Sequence, residues 1–169
     1  MDRSPATFLA IIVVIVLGVG YFIQQKNHPD GGSTTDPTVL ASDFARVEKA
    51  ISDAKGKVVL LDCWATWCGP CVGSFPKLVE KQEKYGPKGL VVISVNLNDP
   101  GDAEEVKEFL KQQNATFTNI QLAQDAAAYK GLKQRLGYRG GIPHAALINK
   151  EGVRVWSGHP EDPELTQKA

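Results

Sequence analysis

The chain has 169 residues, of which 43% are hydrophobic and 22% are charged. This composition predicts one globular domain with an appendage, and it excludes a large multidomain enzyme and a chain that is disordered throughout. Nineteen Lys and Arg balance nineteen Asp and Glu, so nucleic acid is not an expected partner. Three cysteines are too few for a disulfide-stapled scaffold, and their spacing matches no zinc site, so no metal is expected.

The amino-terminal segment predicts a membrane anchor. Residues 4–25 carry no charge, and as a helix they would reach about 33 Å, against about 30 Å for the hydrocarbon core of a bilayer. A cleaved secretory signal is the alternative, because small residues stand three and one positions before a possible cleavage point at Tyr21. The predicted organisation is an anchor or signal at 1–25, a flexible tether at 26–38 and a folded domain at 39–169.

This organisation predicts a single-pass protein of the cell membrane. The amino terminus is expected inside, and the folded domain is then extracytoplasmic, in the periplasm. If the segment is a cleaved signal, the domain is instead secreted.

A helix, a strand and a second helix are the first elements predicted after the tether. Ser42 can cap the first helix, in which apolar residues follow on one face at Phe44, Val47, Ala50 and Ile51. The short β-branched run at 58–61 predicts a strand that is buried on both faces. Gly69 and Pro70 open the second helix. Pro76 should kink this helix rather than end it, since the apolar pattern continues at Leu78, Val79 and Tyr85.

Strands and helices continue to alternate in the second half of the chain. The predicted elements are a buried strand at 90–95, a helix at 102–113 with Val106, Phe109 and Leu110 inward, a short strand through Ile120 and Leu122, a helix through Ala126, Tyr129, Leu132 and Leu136, and a hairpin of 145–148 with 153–156. This order predicts a mixed sheet with helices on both faces.

The chemistry is expected in the segment Trp67-Cys68-Gly69-Pro70-Cys71. Two thiols separated by two residues can close a small disulfide ring at little cost in loop entropy. Cys68 stands at the amino terminus of the predicted helix, where free N–H groups and the helix dipole favour a thiolate, so it is the predicted nucleophile. Cys71, one turn further and more buried, would resolve the mixed disulfide by attacking Cys68. A purely structural disulfide is the alternative.

The segment from Trp64 to Cys71 resembles the active-site segment of thioredoxins. Further positions agree with that family in register, namely Asp62, Pro76 and the triplet Gly141-Ile142-Pro143. The 72 residues that separate Cys71 from Pro143 exceed the separation in a minimal thioredoxin, which leaves room for an inserted helix and strand between 102 and 121. With the amino-terminal segment, this length makes the chain resemble the membrane-tethered TlpA-like and ResA-like thiol-disulfide oxidoreductases.

The resemblance implies a thioredoxin-like three-layer α/β fold, with a central mixed sheet flanked by helices. It also implies that Asp62, desolvated on its strand, takes the proton from Cys71. Pro143 is then expected to be cis and to lie against the disulfide, with the Ile142 backbone free to pair with a bound polypeptide. The expected substrate-binding residues are Trp67, Gly69, Pro70, Ile142 and Pro143.

Cys63 and His144 flank the site residues Asp62 and Pro143 in the sequence. A small buried hydrophobe is the favoured interpretation of Cys63, which alternation places on the face opposite Asp62, and a second redox role is the alternative. For His144, a surface or hydrogen-bonded histidine is favoured over one that tunes the disulfide.

The chain departs from the family in two ways. Eleven residues follow Gly158, so the long terminal helix of the family is expected to be shortened or absent. In addition, Val72-Gly73-Ser74 replaces residues that are often charged in the tethered group.

The predicted function is thiol-disulfide exchange with protein substrates, as an extracytoplasmic reductant that needs no bound cofactor or metal. The expected partners are protein thiols and disulfides, an upstream redox partner and the membrane through residues 4–25, and the chain is expected to be monomeric. A disulfide-forming oxidase or isomerase is the alternative with the same chemistry. A redox-responsive binding module without turnover is the alternative from another class.

Overall fold

Six strands form one mixed sheet in the computed structural model, which describes residues 41–168. The strands are β1 (Ala41–Ser42), β2 (Val58–Trp64), β3 (Leu90–Asn96), β4 (Thr118–Leu122), β5 (His144–Ile148) and β6 (Arg154–Gly158). Their order in the sheet is β1-β4-β3-β2-β5-β6. The first four strands in this order are mutually parallel, whereas β5 and β6 are antiparallel to their neighbours.

Helices cover both faces of this sheet. They are α1 (Phe44–Asp53), α2 (Gly69–Tyr85), α3 (Ala103–Gln112), α4 (Ala126–Gly131), which continues into a π-helical turn (Leu132–Leu136), and α5 (Pro163–Lys168). One hydrophobic cluster joins the sheet to α1, α4 and the π-helical turn, and a second joins it to α2, α3 and α5. The predicted mixed sheet with helices on both faces is confirmed.

Strand β2 lies at the centre of the sheet and separates the two clusters. Every residue from Val59 to Trp64 is buried, which confirms the prediction of a strand buried on both faces. Because side chains alternate along a strand, Leu61 and Cys63 pack in the cluster with α1, while Leu60 and Trp64 pack in the cluster with α2. Burying each such leucine contributes about 1.5–3 kcal/mol.

The elements of the predicted insertion form one compact addition to the sheet. Strand β4 lies between β3 and β1, and α3 packs Val106 and Leu110 against the same face as α2. The predicted helix at 102–113 and the short strand through Ile120 and Leu122 are therefore confirmed. The hairpin of β5 and β6 is also as predicted.

Two details of the predicted elements are wrong. Ser42 does not cap α1, because its backbone extends in β1, where its carbonyl accepts a hydrogen bond of 2.8 Å from the Ala123 N–H. Asp43 holds the capping position instead. Tyr85 does not continue the apolar face of α2, since it lies at the helix end with its ring exposed beside Lys84 and Lys88.

The predicted helix through Ala126, Tyr129, Leu132 and Leu136 is confirmed as α4 and the π-helical turn, with Ala126 and Tyr129 exposed. The buried residues of this segment are Ala128, Leu132 and Leu136. These three residues are spaced by four, so they lie on one face of the segment.

The predicted anchor and tether at residues 1–38 lie outside the described residues. Within the described chain, no helix has the length and apolar character needed to cross a membrane. At the other end of the described chain, the short helix α5 buries Leu165 against the cluster that contains α2.

Candidate redox site

A disulfide joins Cys68 and Cys71 at the point where the chain passes from β2 into α2. Their Cα atoms are 5.2 Å apart. Cys68 occupies the N-cap of α2, and its Sγ accepts a hydrogen bond of 3.3 Å from the Cys71 N–H. Pro70 follows at an early helical position, where its missing N–H leaves no intrahelical bond unmade. The predicted position of Cys68 at the helix amino terminus is therefore confirmed.

The two sulfur-bearing residues differ little in burial, at 6% exposed for Cys68 and 2% for Cys71. The difference in environment lies in the backbone around them. The Cys68 sulfur faces the free N–H groups and the positive end of the α2 dipole, whereas Cys71 stands within the first turn. When the disulfide is reduced, this arrangement favours the thiolate at Cys68.

Asp62 is buried beneath the site, on the α2 side of β2. It is 7% exposed, and desolvation raises its pKa from 3.8 to about 7, while the positive charge of Lys81 opposes this rise. Asp62, Ser74 and Lys81 line one cavity of about 20 Å³. That volume accommodates about one water molecule, and the three polar side chains are suitable partners for it.

The cavity beside Asp62 extends towards the protein surface. Ser74 lies one helical turn after Cys71, and its hydroxyl donates a hydrogen bond of 3.1 Å to the Cys71 carbonyl. Lys77 and Glu161 also line the cavity, and their exposed side chains form an ion pair at its outer side. Asp62 therefore lines a cavity large enough for one water molecule, with exposed charged side chains at its outer side.

The segment before β5 returns to the redox site from far along the chain. The peptide bond between Ile142 and Pro143 is cis, as the resemblance implies. Strand β5 pairs with β2 in a register that places His144, the residue after Pro143, opposite Cys63. Ile142 packs against the hydrophobic cluster that contains both Cys68 and Cys71.

An open surface surrounds the disulfide. Trp67 is 67% exposed, and Gly69 and Pro70 are exposed beside it. By contrast, Trp64 is fully buried, with its ring centroid 4.7 Å from that of Phe75 and 4.9 Å from that of Phe109. Trp67 can therefore contact a partner, whereas Trp64 belongs to the core.

Cys63 and His144 lie on the sheet face opposite Asp62. Cys63 packs in the cluster with α1, and burial raises the pKa of its thiol far above the usual range. The Nε2 atom of His144 lies 3.1 Å from the Leu136 carbonyl, to which it can donate, and desolvation lowers the pKa of this histidine. The favoured interpretations, a small buried hydrophobe and a hydrogen-bonded histidine, are confirmed.

Several polar residues around the site were missed by the sequence analysis. Ser74 and Lys81 follow Cys71 by one and about three helical turns, so their spacing along α2 could have indicated them. Asn98 hydrogen-bonds to Thr66 across a separation of 32 residues, which no local pattern signals. Among residues 41–168, no group of three or more His, Cys, Asp or Glu side chains is arranged to hold a metal ion.

The fold and the site together define a thioredoxin-like thiol-disulfide oxidoreductase. Residues 33–168 match the Redoxin family, and the chain belongs to that family. The thiol-disulfide oxidoreductase ResA of a Bacillus cereus strain is 30% identical over 163 residues, which cover 92% of this chain and 88% of that protein. The protein of the same name from Geobacillus kaustophilus is 31% identical over 150 residues, covering 85% and 80%.

Solved structures agree with these relatives. A Chlorobium tepidum protein assigned as thiol:disulfide interchange protein DsbE has 33% sequence identity and a TM-score of 0.56, over 70% of this chain and 78% of that one. The exposed lipoprotein thioredoxin of Streptococcus pneumoniae has 27% identity and a TM-score of 0.54, over 70% and 87%. The predicted ResA-like membership, thioredoxin-like fold and thiol-disulfide oxidoreductase activity are confirmed.

Proposed function

We propose that Cys68 is the attacking thiol, that Cys71 is the resolving thiol, and that the chain acts as an extracytoplasmic reductant of protein disulfides. One observation carries this proposal. Cys68 occupies the N-cap of α2 with its sulfur bonded to the Cys71 N–H, so the helix amino terminus stabilises a negative charge on that sulfur.

The exchange proceeds in two steps that move two electrons to the partner. The Cys68 thiolate attacks one sulfur of the partner disulfide, which forms a mixed disulfide and releases the other partner sulfur as a thiolate. The Cys71 sulfur then attacks Cys68, which releases the first partner sulfur and closes the Cys68–Cys71 disulfide. A dithiol on an upstream redox partner reduces this disulfide by the reverse sequence.

Asp62 is proposed to accept the proton that Cys71 loses in the second step. Its pKa of about 7 means that a substantial fraction is ionised near neutral pH, as a general base requires. The cavity that it shares with Ser74, which is bonded to the Cys71 carbonyl, supports transfer through one water molecule.

The partner polypeptide is proposed to bind over the disulfide. Trp67, Gly69 and Pro70 supply an exposed surface on one side, with Trp67 as its apolar contact. Ile142 and Pro143 supply the other side, where the backbone of Ile142 pairs with the partner in the manner of an added strand.

The proposed organisation has an anchor or signal at 1–25, a tether at 26–38 and a monomeric domain at 39–169 outside the cytoplasm. The charge-free run at 4–25 supports the anchor. The similarity to an exposed lipoprotein thioredoxin supports an extracytoplasmic domain.

A Cys71→Ser variant tests the assignment of the two thiols. Without the resolving sulfur, the mixed disulfide on Cys68 is expected to persist, so covalent complexes with partner proteins form and are released by dithiothreitol. Cys68→Ser and Cys63→Ser in the Cys71→Ser background serve as controls. The complexes should be absent from the variant that also lacks Cys68 and should remain in the variant that also lacks Cys63. Equal trapping without Cys68, or non-covalent association alone, would contradict the proposal.

A redox titration separates the proposed reductase from a disulfide-forming oxidase. A reductant is expected to have a potential near that of thioredoxin, about −270 mV, whereas the strong oxidant DsbA lies at about −120 mV. A value close to the second would reverse the proposed direction while leaving the two thiol roles intact.

A further inference from the structure

The side-chain amide of Asn98 uses all of its hydrogen-bonding positions. It lies next to the turn from Ala65 to Cys68, which we call the redox loop. Its Oδ1 accepts from the Thr66 N–H at 2.9 Å and from Asn96 Nδ2 at 2.9 Å. Its Nδ2 donates to Thr66 Oγ1 at 2.7 Å and to Asp102 Oδ2 at 3.2 Å. Asn98 is 1% exposed, and both donor hydrogens and both acceptor sites of its amide are used.

These bonds fix the orientation of the amide. The Thr66 N–H can only donate, so Oδ1 faces it and Nδ2 faces the hydroxyl and the Asp102 carboxylate. The same amide therefore holds Thr66 at both its backbone and its side chain. An aspartate could not donate at this position, and an apolar residue could neither donate nor accept.

Thr66 belongs to the turn that ends in Cys68. The Leu97 N–H donates to the Trp64 carbonyl at 2.8 Å, which is the last backbone bond between β3 and the end of β2. Beyond that point the Asn98 side chain continues the connection to Thr66. The Cys68 N–H donates to the Ala65 carbonyl at 3.1 Å, and this bond closes a turn that contains Thr66 and ends at Cys68, the N-cap of α2.

The loop that carries Asn98 is itself held from the far side. Gln121 on β4 donates from Nε2 to the Asp99 carbonyl at 2.7 Å. Asp102, which accepts from Asn98, stands immediately before α3. Asn98 thus connects the redox loop to the segment of the predicted insertion.

We propose that Asn98 is a positioning residue for the redox reaction, which holds the turn from Ala65 to Cys68 so that the N–H groups of α2 point at the Cys68 sulfur. This inference deepens the proposed function and rests on Cys68 being the attacking thiol. A held turn keeps the donors aligned before the charge forms, which stabilises the reduced thiolate form relative to the disulfide.

The test is the equilibrium between the full-length chain and a glutathione redox buffer. Asn98→Ala is expected to shift the exchange equilibrium constant about fivefold towards the Cys68–Cys71 disulfide, which corresponds to the net contribution of one hydrogen bond. Thr66→Val, which removes the hydroxyl acceptor while keeping the side-chain shape, is expected to shift the constant in the same direction by a smaller factor. Because Thr66 is half-buried, this variant keeps the proposal testable if Asn98→Ala does not fold.

Asn119→Ala is the matched control. Asn119 is also buried and its amide makes three hydrogen bonds, to Ser94, Ala115 and Phe117, away from the redox loop. This variant is expected to lower the free energy of unfolding and to leave the glutathione equilibrium unchanged. In the double variant Asn98→Ala/Thr66→Val, the combined shift should be smaller than the product of the single shifts, because both remove the same contact.

Two results would overturn the inference. One is an unchanged equilibrium constant in folded Asn98→Ala and Thr66→Val, and the other is an equal shift in Asn119→Ala, which would indicate general destabilisation. Failure of the proposed function is recognised separately in the reduced wild-type chain. If Cys68 there is alkylated no faster than Cys71, the thiol assignment is wrong whatever the Asn98 variants show.

Discussion

Asp62 on β2 and Lys81 on α2 line the same small cavity. Burial raises the pKa of Asp62 to about 7, and the ammonium group of Lys81 limits that rise. The site therefore contains a buried carboxyl group that changes its charge close to neutral pH.

Stability is expected to fall with rising pH because of Asp62. In the unfolded chain this carboxyl ionises near pH 3.8, whereas in the folded chain it stays protonated up to about pH 7. Below pH 3.8 both states are protonated and burial of the group carries no ionic penalty. The folded state loses stability as the pH rises from there through 7, by about 4 kcal/mol in total. Asp62→Asn, which cannot ionise, should not show this loss.

Urea unfolding of the oxidised chain at a series of pH values checks this prediction. The free energies of unfolding of wild type and Asp62→Asn should diverge in favour of the variant as the pH rises. Asp53→Asn, which alters an exposed carboxylate on α1, is the control and should run parallel to wild type. Parallel curves for Asp62→Asn would contradict the assigned burial effect.

Loss of the Asp62 carboxyl is expected to slow resolution of the mixed disulfide. Without a proton acceptor, the attack of Cys71 on Cys68 should slow by about 100-fold, a factor typical of general-base catalysis. Stopped-flow mixing of the reduced chain with a protein disulfide measures both steps. The first step should be unchanged in Asp62→Asn, and the mixed disulfide should accumulate. The wild-type rate of the second step should rise through about pH 7, and a similar rise in the variant would exclude Asp62 as the base.

Removal of the Lys81 charge is expected to move that pH dependence upward. Because Lys81 lowers the pKa of Asp62, Lys81→Met should shift the midpoint of the second step to higher pH. Lys84→Met, on the same helix beside Tyr85, is the matched control and should leave the midpoint in place. A midpoint that moves equally in both variants would indicate an effect of net charge rather than of the cavity.

Trp67 is expected to contribute to partner binding and not to folding. Its side chain is 67% exposed beside the disulfide, so Trp67→Ala should raise KM for a protein disulfide by about tenfold, as for an aromatic contact residue. The rate with a small disulfide reagent and the Tm should change little. Tyr85→Ala removes an exposed aromatic ring at the other end of α2 and should change neither KM for the protein disulfide nor the rate with the small reagent. Equal KM values for wild type and Trp67→Ala would remove Trp67 from the proposed surface.

Phe75 is expected to be a major source of stability in the cluster that contains the disulfide. Its ring is buried and contacts those of Trp64, Phe109 and Phe117, with centroids 4.7, 5.1 and 6.1 Å away. Phe75→Ala should lower the free energy of unfolding by about 3–5 kcal/mol, measured by urea unfolding. Val153→Ala removes an exposed side chain of the hairpin and provides the comparison. A loss below about 1 kcal/mol for Phe75→Ala would show that the cluster repacks.

Much of the site could be predicted because its parts are short and local. The two cysteines, the proline at the start of α2 and the buried run of β2 all lie within 20 residues, where spacing and periodicity determine helix, strand and thiol position. Alternation along β2 likewise separated Asp62 from Cys63. The match of residues 141–143 to a family segment supplied the distant part of the site, which no periodicity in this chain indicates.

The errors fell where neighbours in space override local pattern. Ser42 is a favourable capping residue, but pairing of its backbone with β4 takes it into a strand. This pairing joins Ser42 to Leu122, 80 residues further along the chain, which no local pattern indicates. Tyr85 fits the apolar spacing of α2, but it lies at the helix end, where its ring is exposed.

The amino-acid sequence by itself determined the reactive chemistry of this protein, because a thiol pair at a helix start depends on residues a few positions apart. Only the tertiary structure decided which groups surround that pair: the cavity shared by Asp62 and Lys81, and the Asn98 amide that holds Thr66 from 32 residues away. The physical reason is that burial and hydrogen-bond partners depend on how strands and helices pack. Local preferences in the sequence do not specify that packing.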